Sequence, residues 1–385
     1  MLPSTSQFDA RIAVQPPLSA ERLSDVPAAR GVLALLDEHE RPVTLITAAD
    51  MRARLRSRLA RRDDGHPRKA ADLRTVTRAV CWTRTDGHFE TDLAYLELAR
   101  QLWPDDFAEM LAWKPAWFVR LDLDDVAPAF VATRGGLCGD ACCVGPFPLR
   151  RAARRFVAVL EDAFDLCRDR SLLARAPHAR TCPYGQMGRC LRVCDGSVTM
   201  DAYRRRLSEA LDYAIGRRED IAAELRRRMQ AASDALDFER AAALKARLDR
   251  LSVLNEADFH HVRPAERFQF VLIQPGGGRR RLRPFLVDGG RIAPRAVLDW
   301  PLKRTQLREL LAKMGRFVNA SARPDNAGPW RVGLVAKYLF SAPQRRGLAV
   351  HWTDALDAAA LTEQIVAARG VLGLSDRVGP DADER

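Results

Sequence analysis

No run of apolar residues approaches the ~20 needed to cross a bilayer, so no membrane-spanning helix is expected in this chain of 385 residues. Its first stretch, Met1-Leu-Pro-Ser-Thr-Ser-Gln-Phe-Asp, lacks a basic segment followed by an apolar core, so no secretory signal is expected. Without an export signal, eight cysteines point to a reducing cytoplasm and to metal ligation rather than disulfides. Gly276-Gly-Gly is followed by Arg279-Arg-Arg and not by Gly-Lys-Ser/Thr, which excludes a P-loop. Tyrosine is scarce: of five, only Tyr95 precedes the cysteine-rich middle. Acidic residues are in deficit, 50 against 62 Lys plus Arg, for a net charge of +12 and a pI near 9.7. Such a balance favours nucleic acid as partner, the alternative being a merely soluble basic protein.

Four of the cysteines lie close in sequence. Cys167, Cys182, Cys190 and Cys194 are separated by 14, 7 and 3 residues. Thiolates gathered from one loop-rich segment suit a soft metal or an iron–sulfur cluster, and spacing alone does not choose between them. Next, apolar residues recur at three and four from Leu207 to Leu236. After a turn, Phe238, Ala241, Leu244, Leu248 and Leu251 form one stripe, with Asp237 as N-cap. This reads as a helical hairpin able to take a partner helix.

Val144-Gly-Pro-Phe-Pro, then Thr181-Cys-Pro-Tyr-Gly-Gln-Met-Gly-Arg-Cys-Leu-Arg-Val-Cys, then Leu236-Asp-Phe-Glu-Arg-Ala-Ala follow one another in this order. Together they resemble the middle of UvrC, the incision subunit of bacterial nucleotide excision repair. The resemblance implies a [4Fe–4S] cluster on Cys167, Cys182, Cys190 and Cys194, with zinc the alternative. It also implies a UVR hairpin docking on a UvrB-like protein through Met229, Leu236, Phe238, Leu244 and Leu248. Cys138, Cys142 and Cys143 match no family ligands and read as ordinary loop thiols, the alternative being a second metal.

Towards the N-terminus, Gly31-Val-Leu-Ala-Leu-Leu and Pro42-Val-Thr-Leu-Ile-Thr read as a strand pair, and Ala48 to Ala60 as a helix carrying Arg52, Arg54, Arg56 and Arg58. These arginines are candidate DNA contacts. Strand, turn, strand, helix resembles the start of the GIY-YIG nuclease domain of UvrC, with departures. Leu33 stands where the first motif tyrosine is expected, Thr44-Leu-Ile where the second half is expected, and Thr47 in place of the lysine. By this resemblance Arg54 would orient the scissile phosphate and Glu97 would bind magnesium. Metal-assisted phosphodiester hydrolysis also needs a base for the attacking water. Tyr95 lies two residues from Glu97, about 200° round a helix, so it faces away. His39, His66 and His88 read as surface loop histidines.

The fold class expected is α+β. The divisions are a lead-in arm (1–28), a GIY-YIG-like domain (29–134), a cysteine-rich segment (135–200), the hairpin (201–254), a small C-terminal α+β domain (255–378) and a disordered tail (379–385). In the fifth, strands are expected at Phe268–Ile273, Leu282–Val287 and Arg331–Val335, and helices near Leu302–Val318 and Asp354–Ala368. Two functions compete: a DNA- and UvrB-binding repair protein with little or no incision activity, and an active magnesium-dependent endonuclease.

Overall fold

A computed structural model describes residues 8–15, 21–59, 73–136, 141–216, 218–320 and 325–374. The N-terminal unit is an antiparallel sheet in the order β1-β4-β2-β3, built from β1 (Ala10–Ala13), β2 (Gly31–Leu36), β3 (Pro42–Ala48) and β4 (Ala79–Arg84), with helices α1 (Met51–Leu59) and α2 (His88–Leu102). Every residue of β2 is buried, because both faces of the sheet are covered. Leu33, Leu35, Val80 and Trp82 pack on Met51 and Leu55 of α1. Val32, Ala34, Leu36 and Cys81 turn to α2. Two-sided burial explains why β2 reads as a continuous apolar run rather than an alternation. Gly31 is needed where α1 crosses, since a Cβ there would sit 2.2 Å from the Thr83 carbonyl and 2.6 Å from Met51 Sδ.

The middle unit has sheet order β6-β5-β7-β8, from β5 (Trp117–Leu121), β6 (Val131–Arg134), β7 (Cys142–Phe147) and β8 (Arg263–Pro264). Helices α3 (Arg150–Ala163), α4 (Met200–Ala214), α5 (Arg218–Asp234) and α6 (Phe238–Ser252) surround it. The third unit has sheet order β11-β10-β9-β13 with β12 on β10. Its strands are β9 (Gln269–Pro275), β10 (Arg281–Asp288), β11 (Arg291–Pro294), β12 (Leu298–Asp299) and β13 (Leu348–His351), and its helices α7 (Arg304–Asn319), α8 (Gly328–Leu339) and α9 (Ala358–Ala367). One face, with Val271, Ile273 and Leu286, packs on α7 and α9. The other, with Phe270, Leu272, Phe285 and Val287, joins the same core as β2 and α2.

The α+β class holds, and several boundaries move. The arm is no free lead-in: β1 pairs with β4 from Ala10↔Trp82 to Ala13↔Ala79, and Val14, Leu23 and Val26 are buried against the first sheet. The first unit ends before Trp117 and not at 134, because β5 and β6 pair with each other and with β7. Residues 331–335 are helical, inside α8, and not a strand. That helix is covered on nearly every side, so its sequence shows an apolar run without helical period, while Pro329 marks its first turn. Strand β4 begins at Ala79, after a helical turn at Leu73–Val76. The C-terminal unit is not separate, since it shares its core with the first. His66 and the tail 379–385 lie outside the described residues.

Candidate functional site

The four cysteines stand on four short segments tied to one another. The Cys167 amide donates to the Tyr203 hydroxyl at 3.2 Å. Cys182 precedes a helical turn, Pro183–Gln186, and Cys194 lies in the turn Val193–Asp195. Asp195 fastens these two together: it accepts from Thr181 Oγ1, from Arg192 Nε at 3.0 Å and from Ser197 Oγ at 2.7 Å. Hydrogen bonds led by that from Thr181 hold its carboxyl far below the usual range. The Ala179 amide reaches the Cys194 carbonyl, and Leu191 that of Asp165, at 2.9 and 3.0 Å. A Cβ on Gly185 would fall 3.7 Å from Cys190 Sγ.

Burial pushes the Cys167 thiol up to about 11, and the fields of Cys190, Cys194 and Cys182 add to it. The Cys190 and Cys194 thiols are also raised, burial first. All four are free thiols within one another's field. Among the described residues, no three His, Cys, Asp or Glu groups close to single-ion distance. Of the remaining cysteines, Cys142 is half-buried with a free thiol, and Cys138 lies outside the described residues. Cys143 is fully buried in β7 and disulfide-bonded, so it is not an ordinary loop thiol.

The hairpin α5–α6 reverses at Leu236, which holds φ at +61°. The Leu236 amide bonds to Ser233 O and that of Asp237 to Ala232 O, both at 2.9 Å, and the Asp237 carboxylate caps the Arg240 amide at 3.1 Å. This is the Schellman closure, where glycine usually stands. A leucine there costs about 1 kcal/mol, yet Leu236 is 72% exposed and gains no packing. Phe238 beside it is 64% exposed. Leu244 and Leu248 instead pack against the middle core, and Met229 is half-buried. The expected docking set therefore divides into an exposed tip and a base that builds the hairpin.

Glu97 stands on α2 in a bidentate pair with Arg331 of α8, Nε–Oε1 at 2.6 Å and Nη2–Oε2 at 3.0 Å. Arg100 donates to the same carboxylate at 3.2 Å. Arg331 also grips Asp325 at 2.8 and 2.9 Å. A divalent cation therefore does not fit at Glu97 as it is held here. The other acids along α2 are matched in the same way. Arg283 pairs with Glu90 at 2.9 Å, and Asp92 takes Lys337 at 2.8 Å and the Tyr338 hydroxyl at 2.9 Å. Sequence reasoning missed Arg331 and these partners; the one hint was a lone arginine inside the apolar run Trp330-Arg-Val-Gly-Leu-Val. Tyr95 is half-buried against the core and supplies no base beside Glu97.

Arg54, Arg56 and Arg58 are exposed on α1. Arg52 is not available for DNA: its guanidinium is spent on the carbonyls of Val26 and Ser24, both at 2.7 Å. His39 is exposed in the turn between β2 and β3. His88 opens α2, where burial lowers its pKa and Arg30 adds to the effect.

Comparison with known proteins places these features. Residues 117–213 match the UvrC/Cho excinuclease middle domain, and residues 219–254 match the UvrB/uvrC motif. In these two segments the chain is similar to UvrC-family proteins. It is 26% identical over 273 residues to a UvrABC system protein C of Hyphomonas neptunium, covering 70% of this chain and 44% of that one. A Ruegeria UvrABC system protein C is 29% identical over 237 residues, 61% of this chain and 36% of the other. One from Mesorhizobium japonicum is 31% identical over 207 residues, covering 53% and 29%. The chain thus spans less than half the length of these UvrC proteins. No solved structure matches it. Among the described residues, no helix is long and apolar enough to cross a membrane.

Proposed function

We propose that this chain acts in nucleotide excision repair in the cytoplasm as a UvrC-like accessory that binds DNA and a UvrB-like partner and makes little or no incision. The observation that carries the reading is the Glu97–Arg331 pair: a guanidinium fills the place that a catalytic cation would need. Among the described residues, Tyr95, the one tyrosine near Glu97, is half-buried against the core and does not replace the missing motif tyrosines. Leu33, at the first tyrosine position, is buried in the core, and Thr44, at the second, is half-buried in β3. Without a base alone the rate falls by about 10² to 10⁴.

The UVR hairpin would meet its partner by its tip, Leu236 and Phe238. DNA would be held electrostatically, with Arg54, Arg56 and Arg58 among the contacts. Cys167, Cys182, Cys190 and Cys194 would hold a [4Fe–4S] cluster that fastens the middle segments together. The choice of iron over zinc rests on the resemblance, since the cysteine spacing alone does not choose.

The deciding assay is cleavage of damaged and branched DNA with magnesium or manganese, with and without UvrB. Wild type and Glu97→Ala are expected to be equally inactive while DNA and partner binding persist. Robust cleavage that Glu97→Ala abolishes would establish the nuclease alternative, and His39 would be the first replacement base to test.

A further inference from the structure

A cleft of about 400 Å³ opens where all three units meet. Trp113 and Trp117 come from the passage between the first and middle units, Phe147 from β7, and Gly333 and Phe340 from α8 and its end. Its narrow floor depends on Gly333, where a Cβ would lie 2.4 Å from the Lys114 carbonyl. The indole N–H of Trp113 donates to the Trp330 carbonyl at 3.0 Å, so only its apolar face is left for the cleft. Leu149, half exposed, stands at the mouth.

Cations surround these rings. The Arg134 guanidinium lies 4.7 Å from the Trp117 ring centre and that of Arg150 5.5 Å. Lys337 Nζ lies 4.8 Å from the Trp113 ring, and Lys114 at the rim 5.4 Å from that of Trp330. Among the described residues, no carboxylate lines the cleft. Asp92 neutralises Lys337 from behind, whereas Lys114, Arg134 and Arg150 are exposed and none of them forms an ion pair among the described residues. Unneutralised cations beside aromatic faces at this volume match a flat ring joined to phosphate. We propose that this cleft binds a nucleotide unit of single-stranded DNA, its base against the aromatic wall and its flanking phosphates on Lys114, Arg134 and Arg150. The assignment rests on the DNA-binding reading above and gives it a place distinct from α1.

The test uses the full chain and a short labelled single-stranded oligonucleotide, read by anisotropy and by tryptophan fluorescence. Wild type is expected to bind with quenching. Arg134→Glu/Arg150→Glu is expected to weaken binding at least tenfold and to reduce the salt slope by about 1.4, two phosphates at ~0.7 each. Trp117→Leu is expected to lose about five- to a hundredfold, and Trp117→Phe to keep most affinity with less quenching. Lys114→Glu, in an exposed loop, serves as a second charge variant should the double one fail to fold. If wild type binds but the charge variants do so equally well, while Arg54→Glu/Arg56→Glu/Arg58→Glu does not, the cleft is excluded and the DNA reading stands. If wild type binds no DNA, that reading falls. If deoxyadenosine monophosphate binds as tightly as the oligonucleotide, the ligand is a free nucleotide and the proposal of a strand is overturned.

Discussion

Acidification from pH 7.5 to 5 should loosen the seam between the middle and C-terminal units, through two histidines. His261 precedes β8 and His351 ends β13, with ring centres 5.7 Å apart. His351 Nε2 accepts from Arg263 Nε at 2.8 Å, and the Nδ1 atoms of both rings are buried without a partner. Burial first, then the neighbouring charges of His260, Arg346 and Arg263, lower His261 to about 4. Burial, then Arg263 and the other two histidines, lowers His351 to about 2. In the unfolded chain both titrate near 6.5. At pH 5 the folded pair stays neutral while the unfolded pair is protonated. Stability present above pH 6.5 is therefore lost as pH falls, by about 2 kcal/mol for each ring over these ~1.5 units. Glu161 acts in the opposite sense: burial raises it to about 7, so its folded form gains stability as it takes up a proton. Comparing wild type with His261→Gln/His351→Gln cancels that background. Denaturant unfolding at both pH values should show the variant losing about 4 kcal/mol less than wild type. Equal losses would refute the assignment of two neutral buried rings.

Three further outcomes are expected. Leu236→Gly should raise stability by about 1 kcal/mol, by relieving a left-handed leucine, yet weaken capture of a UvrB-like partner; Phe238→Ser should leave unfolding within about 0.5 kcal/mol and weaken the same capture, both read by denaturation and pull-down. The purified protein should absorb broadly in the visible and contain iron, whereas Cys190→Ser should be colourless and melt early in its middle, since metal binding there is folding free energy; a colourless wild type with stoichiometric zinc would reject the iron cluster and keep the structural role. Arg331→Ala should cost roughly 2 kcal/mol in unfolding experiments by leaving Glu97 without its bidentate partner, and restore no DNA cleavage.

What could be read in advance was whatever the chain encodes locally. The cysteine spacing, the Asp237 cap and the stripe of α6 each lie within a few turns, and the structure has the hairpin where the stripe put it. The β2–β3 pair was legible because a polar turn separates two apolar runs. What failed was non-local. Glu97 and Arg331 are 234 residues apart, and nothing near either one names the other. The end of the first unit was misplaced because β5 and β6 carry ordinary strand sequences, and only pairing with β7 assigns them to the middle sheet. Arg52 looked like its neighbours, although the segment at Ser24–Val26 had already taken its hydrogen bonds.

The third unit takes up the charges along α2. Helix α2 lies between two sheets: Phe89 meets Phe285 of β10 at 4.9 Å and Tyr338 of α8 at 5.1 Å, both edge to face. Along the helix, Glu90, Asp92 and Glu97 each have a cation from the third unit, Arg283, Lys337 and Arg331 in turn. A nuclease face must remain open to a phosphodiester and keep a carboxylate free for its metal. A face whose half-buried carboxylates are each paired with a cation keeps none of them free for a metal. On the function proposed above, the α2 face serves as a wall of the structure, and the surfaces left to act are the arginines of α1, the cysteine-rich middle, the hairpin tip and the aromatic cleft.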